Sequence, residues 1–294
     1  YNDSFDCKEK IKFKINQEGD LEFKSEKFAL KESVDEHFVN DLDDIKITHI
    51  GHAGLHISTK DFSIVTDPWL IGPAFTTGWW LNKEAKKKYF DLVNDADLIY
   101  ISHNHPDHLH PETLSYFKKE KVVITGGFKS KSSEKMLRTL KFDPLVLDFK
   151  DIYKVENKNI FISIIKSGDF RDDSGLYLNI NGYKIILTVD SNHLNSGILP
   201  KDIDLLASSF ASGASGFPLS FDNYDEIEKS KIIKRNRRAD LSTTKQTADL
   251  VNPKYYLPYA GYFRENCERD SYIKKNNLKN SPNDIINVIC NNSN

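Results

Sequence analysis

His103-Asn104-His105-Pro106-Asp107-His108 follows directly on Ala96-Asp97-Leu98-Ile99-Tyr100-Ile101-Ser102. The second stretch is an apolar run of strand character, so the first begins where a strand ends. Three imidazoles and a carboxylate so close together are poorly explained by packing. Imidazole suits zinc, iron, copper and nickel, and an added carboxylate shifts the preference toward harder ions. His103 and His105 alternate, and on an extended backbone alternate side chains point the same way. Asp107 and His108 lie just beyond, where the chain can turn and offer them to a second ion. A polar loop rich in histidine by chance does not account for four potential ligands placed at one strand end.

On either side of this motif the pattern is regular. Ile45–Ile50, Gly54–Ser58 and Phe62–Thr66 read as short strands, and Leu98–Ser102 as a buried one. Val122–Thr125, Leu145–Leu147, Ile152–Val155, Ile160–Ile165, Leu176–Ile180, Tyr183–Val189, Leu205–Ser208 and Tyr255–Pro258 follow as further strands. Asn181-Gly182 is a strong type I′ hairpin signal. Helices are expected over Glu84–Asp95, Pro111–Lys119, Ser132–Leu140, Asp225–Arg238 and Leu241–Leu250. Two clusters of strands with helices between them suit two sheets flanked by helices. With the His motif at a strand end, the chain resembles the metallo-β-lactamase fold. That resemblance implies an α+β protein, an αββα sandwich, over residues 45–294. Residues 1–44 read as a small N-terminal β appendage and an acidic linker.

Composition narrows the function classes. The chain has 294 residues, 39% of them hydrophobic and 12% aromatic, enough for a sizeable core. A formal net charge of −2 gives no global field for nucleic acid or an anionic membrane. No apolar run approaches the ~18 residues of a membrane span. No secretory signal is visible, and the chain begins at Tyr1 rather than Met, which leaves open the removal of an N-terminal piece. Cys7, Cys267 and Cys290 are few, odd in number and far apart, which fits a reducing, cytoplasmic compartment. A small-molecule substrate is expected.

The fold resemblance implies further ligands for a dinuclear site. Asp190 ends the strand in Leu187-Thr188-Val189-Asp190, the place of a bridging aspartate. Asp169, in Ser167-Gly168-Asp169-Phe170, falls where the first ion normally takes its third ligand. The expected set is therefore His103, His105 and Asp169 on one ion, Asp107 and His108 on the other, and Asp190 between. The last ligand of the second ion is usually a C-terminal His, yet no His follows His193. Asp222, Cys267 or water are the alternatives. His52, after the first long strand, is expected to face the metals, and with Asp107 is a candidate for the chemistry. His49 and His56 are expected in or on the sheet, His110 beside the ligands or capping the next helix, His37 in solvent, and His193 along the pocket.

A narrower resemblance rests on longer segments. Thr66-Asp67-Pro68-Trp69-Leu70-Ile71-Gly72-Pro73-Ala74-Phe75 with Gly78-Trp79-Trp80-Leu81, then Ala96–His103, Gly213-Ala214-Ser215-Gly216-Phe217-Pro218 and Ala260-Gly261-Tyr262-Phe263, resemble the CMP-N-acetylneuraminate hydroxylases in order and spacing. The resemblance runs from about residue 45 to residue 288. It implies an oxygenase that hydroxylates the N-acetyl group of a CMP-activated sialic acid, with electrons from cytochrome b5 and a Rieske iron–sulfur domain. The two Cys and two His of a Rieske centre are not found in this sequence, since Cys7 has no paired Cys-x-x-His downstream. Asp169 and Cys267 each fall where that family has a His.

The matched segments also have a physical reading. Trp69, Trp79 and Trp80 lie on an irregular loop punctuated by Asp67-Pro68 and Gly72-Pro73. Such a loop can stack on a base or cover a sugar, or it can form a satellite core. Asp67 is placed to fix the tautomer of a ligating His. Ser212-Gly213-Ala214-Ser215-Gly216 is rich in small residues, so Ser215 and Gly216 are candidates for substrate contact; a tight turn is the alternative. Tyr262 is a candidate to orient substrate. Lys229, Lys231, Lys234, Arg235, Arg237 and Arg238 read as a solvated helix face rather than a phosphate clamp or a docking face for an acidic electron-donor protein.

Three function classes follow. The first is an oxygenase on a nucleotide-activated or related sugar, with a dinuclear site that favours iron and admits zinc or manganese. The second is a dinuclear hydrolase of phosphodiesterase or lactonase type. The third is a binding protein with a degraded site.

Overall fold

Neighbouring residues of one strand point to opposite faces, and here both faces of each sheet are covered. In Ser63–Thr66 the side chain of Ile64 enters one apolar cluster and that of Val65 another; in Leu205–Ser208, Leu205 and Leu206 divide in the same way. The chain is described by a computed structural model over residues 45–149, 151–191, 193–194, 199–211 and 216–290, and by backbone alone over 5–6, 10–11, 13–15 and 21–24. Expectations for the rest of 1–44, His37 among them, lie outside the described residues.

The first sheet has eight strands. In chain order they are β3 (Phe13–Ile15), β4 (Leu21–Lys24), β5 (Lys46–Gly51), β6 (Gly54–Ser58), β7 (Ser63–Thr66), β9 (Leu98–Ile101), β10 (Val122–Gly126) and β11 (Leu145–Leu147). The two short strands β1 (Phe5–Asp6) and β2 (Lys10–Ile11) pair with each other. Across the first sheet the order is β11-β10-β9-β7-β6-β5-β4-β3, so strands of the N-terminal segment extend it. From β7 to β11 neighbours run parallel, and the crossovers that parallel pairing requires carry α1 (Lys87–Asp95), α2 (Pro111–Ser115) and α3 (Ser132–Thr139).

The second sheet is ordered β12 (Tyr153–Lys154), β13 (Ile160–Lys166), β14 (Ser174–Ile180), β15 (Tyr183–Leu187), β16 (Leu205–Ser208) and β17 (Tyr255–Pro258). Asn181 at φ 53° and Gly182 at φ 94° make the tight β14–β15 turn, as the Asn-Gly pair predicts. A ribbon of β8 (Trp80–Leu81) and β18 (Phe263–Arg264) ties the tryptophan loop to the C-terminal part.

One core lies between the sheets, with Ile47, Leu55 and Ile57 meeting Ile162, Ile164, Leu176 and Leu178. A second packs Val65, Ile99, Ile101 and Val123 under Tyr89, Val93, Leu114 and Leu137 of the first three helices. A third packs Ile186, Leu206 and Tyr256 under α4 (Glu226–Val251) and α5 (Pro282–Cys290). Each fully buried Leu, Ile or Val contributes about 1.5–3 kcal/mol, so the three layers fix the αββα sandwich.

Two expectations are corrected. Glu226–Val251 forms one helix and not two, because neither Gly nor Pro interrupts Arg238-Ala239-Asp240-Leu241 and tertiary packing carries the helix through. Asp225 caps it, accepting from Glu228 N at 2.8 Å while Glu228 Oε2 accepts from Asp225 N at 3.0 Å. Cys267 is a free thiol but Cys290 is disulfide-bonded, at odds with three reduced cysteines. Among the described residues no helix is long and apolar enough to cross a membrane.

Candidate metal centre

Carboxyl ends of strands from both sheets converge at one edge of the sandwich. Asp67 follows β7, Ser102 and His103 follow β9, and Asp190 lies three residues beyond β15. His52 sits in the β5–β6 turn, held at φ 39° by the bend that Gly51 begins, with its carbonyl accepting from Ala260 N at 3.0 Å.

These elements bring two sets of ligand atoms together. His52, Asp107 and His108 form an inner group, all buried; His103, His105 and Asp190 form an outer group, of which His105 is exposed. In each group the ligand atoms lie within 4.8 Å of one another. His52 Nε2 is 3.0 Å from Asp107 Oδ2, and His108 Nε2 is 3.3 Å from both Asp107 Oδ2 and Asp190 Oδ2. Asp190 Oδ2 is also 4.0 Å from His103 Nε2, so this carboxylate stands between the groups.

Hydrogen bonding behind the ligands fixes their tautomers. Ser102 Oγ donates to Asp67 Oδ2 at 2.7 Å, and a hydroxyl has one proton to give. Its 2.9 Å contact with His103 Nδ1 therefore has the imidazole as donor, which leaves the Nε2 lone pair pointing at the centre. His108 Nδ1 donates to Asp67 Oδ2 at 3.0 Å, with the same result. Ser102 N donates to Asp67 Oδ1 at 2.8 Å. One fully buried carboxylate thus orients a ligand of each group, the arrangement that holds metal-binding histidines elsewhere. Asp173, 3.4 Å from His103 Nδ1, backs the outer group.

The buried atoms fit a cation. His52 Nδ1 and Nε2, both oxygens of Asp107, and His108 Nε2 are buried without a hydrogen-bond partner. The 3.0 Å approach of His52 to Asp107 is close but not aligned for a hydrogen bond. Unsatisfied buried polar atoms cost about 1–3 kcal/mol each, and a shared cation removes that cost. Charge points the same way. Burial pushes the His108 imidazole down, but the Asp107 and Asp190 carboxylates outweigh it and raise its pKa well above the ordinary value. Burial also disfavours ionised Asp107, yet His108 holds it well below the carboxylate range. Burial raises Asp173 to about 7, with help from Asp190. His103, buried and beside His108, stays neutral, as a ligand must.

A cavity of about 700 Å³ opens onto the outer group, lined by Phe75, Trp79, Phe210, His105, Asp190 and His193 among others. Its size is that of a small-ligand site.

The placement of the expected residues is mixed. His103, His105, Asp107, His108 and Asp190 come together. Asp169 does not: it accepts from Ser167 Oγ, Arg171 N and Arg171 Nε at 2.9, 3.0 and 2.8 Å, because the turn after β13 folds its carboxylate onto its own loop. His52 takes the third place of the inner group. The alternatives for that place lie elsewhere: Cys267 Sγ donates to Thr77 O, and Asp222 is exposed. Trp69 is wholly buried, with Nε1 donating to Gly72 O at 3.0 Å, and Trp80 Nε1 donates to Thr77 O at 2.9 Å. Trp79 alone of the three lines the cavity, stacked on Phe263 at 3.8 Å. Gly216 also lines it, and Ser215 lies outside the described residues. Tyr262 packs against His49 and Phe210, and burial pushes its hydroxyl to about 12, so it belongs to the third core. His110 caps α2, its Nδ1 accepting from Thr113 N. Sequence reasoning missed Asp173 and Ser102. The signal for Ser102 was its place beside His103; nothing in the sequence separated Asp173 from Asp169 and Asp172.

Residues 46–184 match the β-lactamase superfamily domain. The chain is 36% identical to the cytidine monophosphate-N-acetylneuraminic acid hydroxylase of Macaca mulatta over 265 residues, covering 86% of this chain and 44% of that protein. It is 35% identical to the inactive cytidine monophosphate-N-acetylneuraminic acid hydroxylase of Homo sapiens, covering 85% of this chain and 51% of that one. The chain thus spans about half the length of the curated relatives it matches. The crystal structure of CmlA, a diiron β-hydroxylase from Streptomyces venezuelae, shares the fold at TM-score 0.53 and 16% identity, over 81% of this chain and 50% of that one. The chain has the metallo-β-lactamase fold, residues 46–184 match the β-lactamase superfamily domain, and over most of its length its sequence is similar to that of the cytidine monophosphate-N-acetylneuraminic acid hydroxylases.

Proposed function

We propose that this protein is a metal-dependent hydroxylase acting on a nucleotide-activated acylamino sugar. The observation that carries the reading is the donor set. Each group offers two imidazoles and one carboxylate with no sulfur, the set that non-haem iron oxygenases use. Asp190, between the groups, suits a bridging ligand. Iron at these groups would supply the redox chemistry that activates O2. Similarity to relatives named for hydroxylation of an N-acetylated sugar nucleotide supports the substrate class.

The chain's own residues have definable tasks. Asp67 and Ser102 hold His103 and His108 with their Nε2 lone pairs inward. The inner group is sealed from solvent, and the outer group faces the cavity where substrate would enter. Phe75, Trp79 and Phe210 give that cavity an apolar wall that excludes water around the acetyl group. Insertion of one oxygen atom from O2 into a C–H bond releases the other as water and consumes two electrons and two protons. An electron-donor protein is therefore part of the proposal.

The test is anaerobic purification, elemental analysis, and incubation with CMP-N-acetylneuraminate, a chemical reductant and labelled O2. A product heavier by one labelled oxygen is expected. Hydrolysis of the nucleotide sugar or of a phosphodiester, with zinc bound and no label taken up, would replace this reading with the hydrolase. A protein that retains no metal would point to a binding protein instead.

A further inference from the structure

Two arginines line the cavity, and their hydrogen bonding differs. Arg269 spends its fork on Asp270, with Nε to Oδ1 and Nη2 to Oδ2 both at 2.9 Å. Arg171 is bound only by its Nε edge, which donates to Asp169 Oδ2 at 2.8 Å. Among the described residues neither Nη atom of Arg171 makes a hydrogen bond; Asp173 Oδ2 lies 3.9 Å from Nη1. Glu265 of the cavity wall is paired too, accepting from Lys279 Nζ at 2.7 Å.

The loop that carries Arg171 is fastened from several sides. Asp169 accepts from Ser167 Oγ and Arg171 N as well as from the guanidinium. Lys166 Nζ donates to Arg171 O at 3.0 Å. Gly168 N donates to His193 O, and Ser167 bridges Leu194, so the loop is joined to the segment that puts His193 on the cavity. A guanidinium held by one edge on a fastened loop, with its other edge open toward a cavity, matches the bidentate geometry by which arginine takes carboxylates and phosphates.

We propose that Arg171, positioned by Asp169, is the anion-recognition residue of this cavity and takes the carboxylate or phosphate oxygens of the substrate. This deepens the hydroxylase reading and rests on it for the identity of the substrate. Asp169 acts through Arg171 and is a positioning residue.

The test is calorimetric titration of the parent, Arg171→Ala, Arg171→Lys and Asp169→Asn, each with its metal content measured. The probes are N-acetylneuraminate against its methyl ester, CMP against cytidine, and inorganic phosphate and acetate. The parent is expected to prefer at least one anion over its neutral partner. Arg171→Ala should weaken that anion about tenfold and abolish the preference, while the neutral partner binds as before. Lys should recover only part, lacking the fork. Asp169→Asn should lose part of the affinity and none of the metal. Dependence on Arg171 in the sialic acid pair assigns the carboxylate, and in the CMP pair the phosphate. If phosphate or acetate binds through Arg171 and neither CMP nor N-acetylneuraminate does better, the nucleotide-sugar reading fails and Arg171 keeps its role. The proposal is overturned if no anion binds in an Arg171-dependent way, or if Asp169→Asn strips the metal.

Discussion

Asp67→Asn isolates the part of the site that orients both ligand groups. The backbone there has φ 36°, which Asn tolerates, and the side chain is nearly isosteric and wholly buried. What changes is donor count. Asp67 accepts three hydrogen bonds, from Ser102 N, Ser102 Oγ and His108 Nδ1, at 2.8, 2.7 and 3.0 Å. An amide has one oxygen. If that oxygen occupies the Oδ2 position, the NH2 group faces Ser102 N–H, donor against donor. If it is turned, the NH2 group faces Ser102 Oγ and His108 Nδ1, and the His108 proton moves from Nδ1 to Nε2, the atom a cation needs. The first orientation leaves a buried donor pair mismatched, at about 1–3 kcal/mol, and the second satisfies its neighbours only with a proton on the ligand atom. Metal affinity should fall about 10- to 100-fold, the usual effect of losing such a support. Competition against a chromogenic chelator, with zinc and with ferrous iron, measures it, and circular dichroism checks the fold. Affinity within about threefold of the parent in a folded Asp67→Asn protein would refute the tautomer argument, since the threshold is well below the cost assigned.

Other expectations follow from single contacts. His52→Ala should remove the inner ion and leave the outer one, halving metal stoichiometry by elemental analysis. His105→Ala should do the converse, with the fold retained because the sandwich has its own core. Gly175→Ala places a Cβ 2.6 Å from Leu187 O and 2.8 Å from Leu194 Cδ2, so urea denaturation should show a loss of about 1–3 kcal/mol. Asp225→Ala removes the cap of α4 and should lower stability by about 1 kcal/mol in the same assay, with metal content unchanged.

Much of this site was legible because strand ends are legible. The apolar run before His103 and the hairpin signal at Asn181-Gly182 placed His103, His105, Asp107, His108 and Asp190 without coordinates. The sandwich followed from strands clustered in two halves. Asp169 was misplaced for a physical reason. Asp169, Asp172 and Asp173 lie within five residues, and only the register of β14 and the turn before it decide which carboxylate points inward. His52 was seen to face the metals but not to complete the inner group, because its approach depends on a bend at Gly51 and on Ala260, far away in the chain. The tryptophan loop offered stacking or a satellite core with equal force. The structure uses both, since Trp69 is core and Trp79 is wall. Arg171 carried no signal, because an open guanidinium edge is a property of its neighbours.

The most direct test of the central claim is anomalous diffraction at the iron edge from crystals of anaerobically purified protein. Two peaks are expected, one within ligand distance of His52, Asp107 and His108, the other of His103 and His105, with Asp190 between them and Asp169 bound only to its own loop. A peak ligated by Asp169, a single peak that leaves His52 unbound, or no metal peak in a folded protein would contradict it.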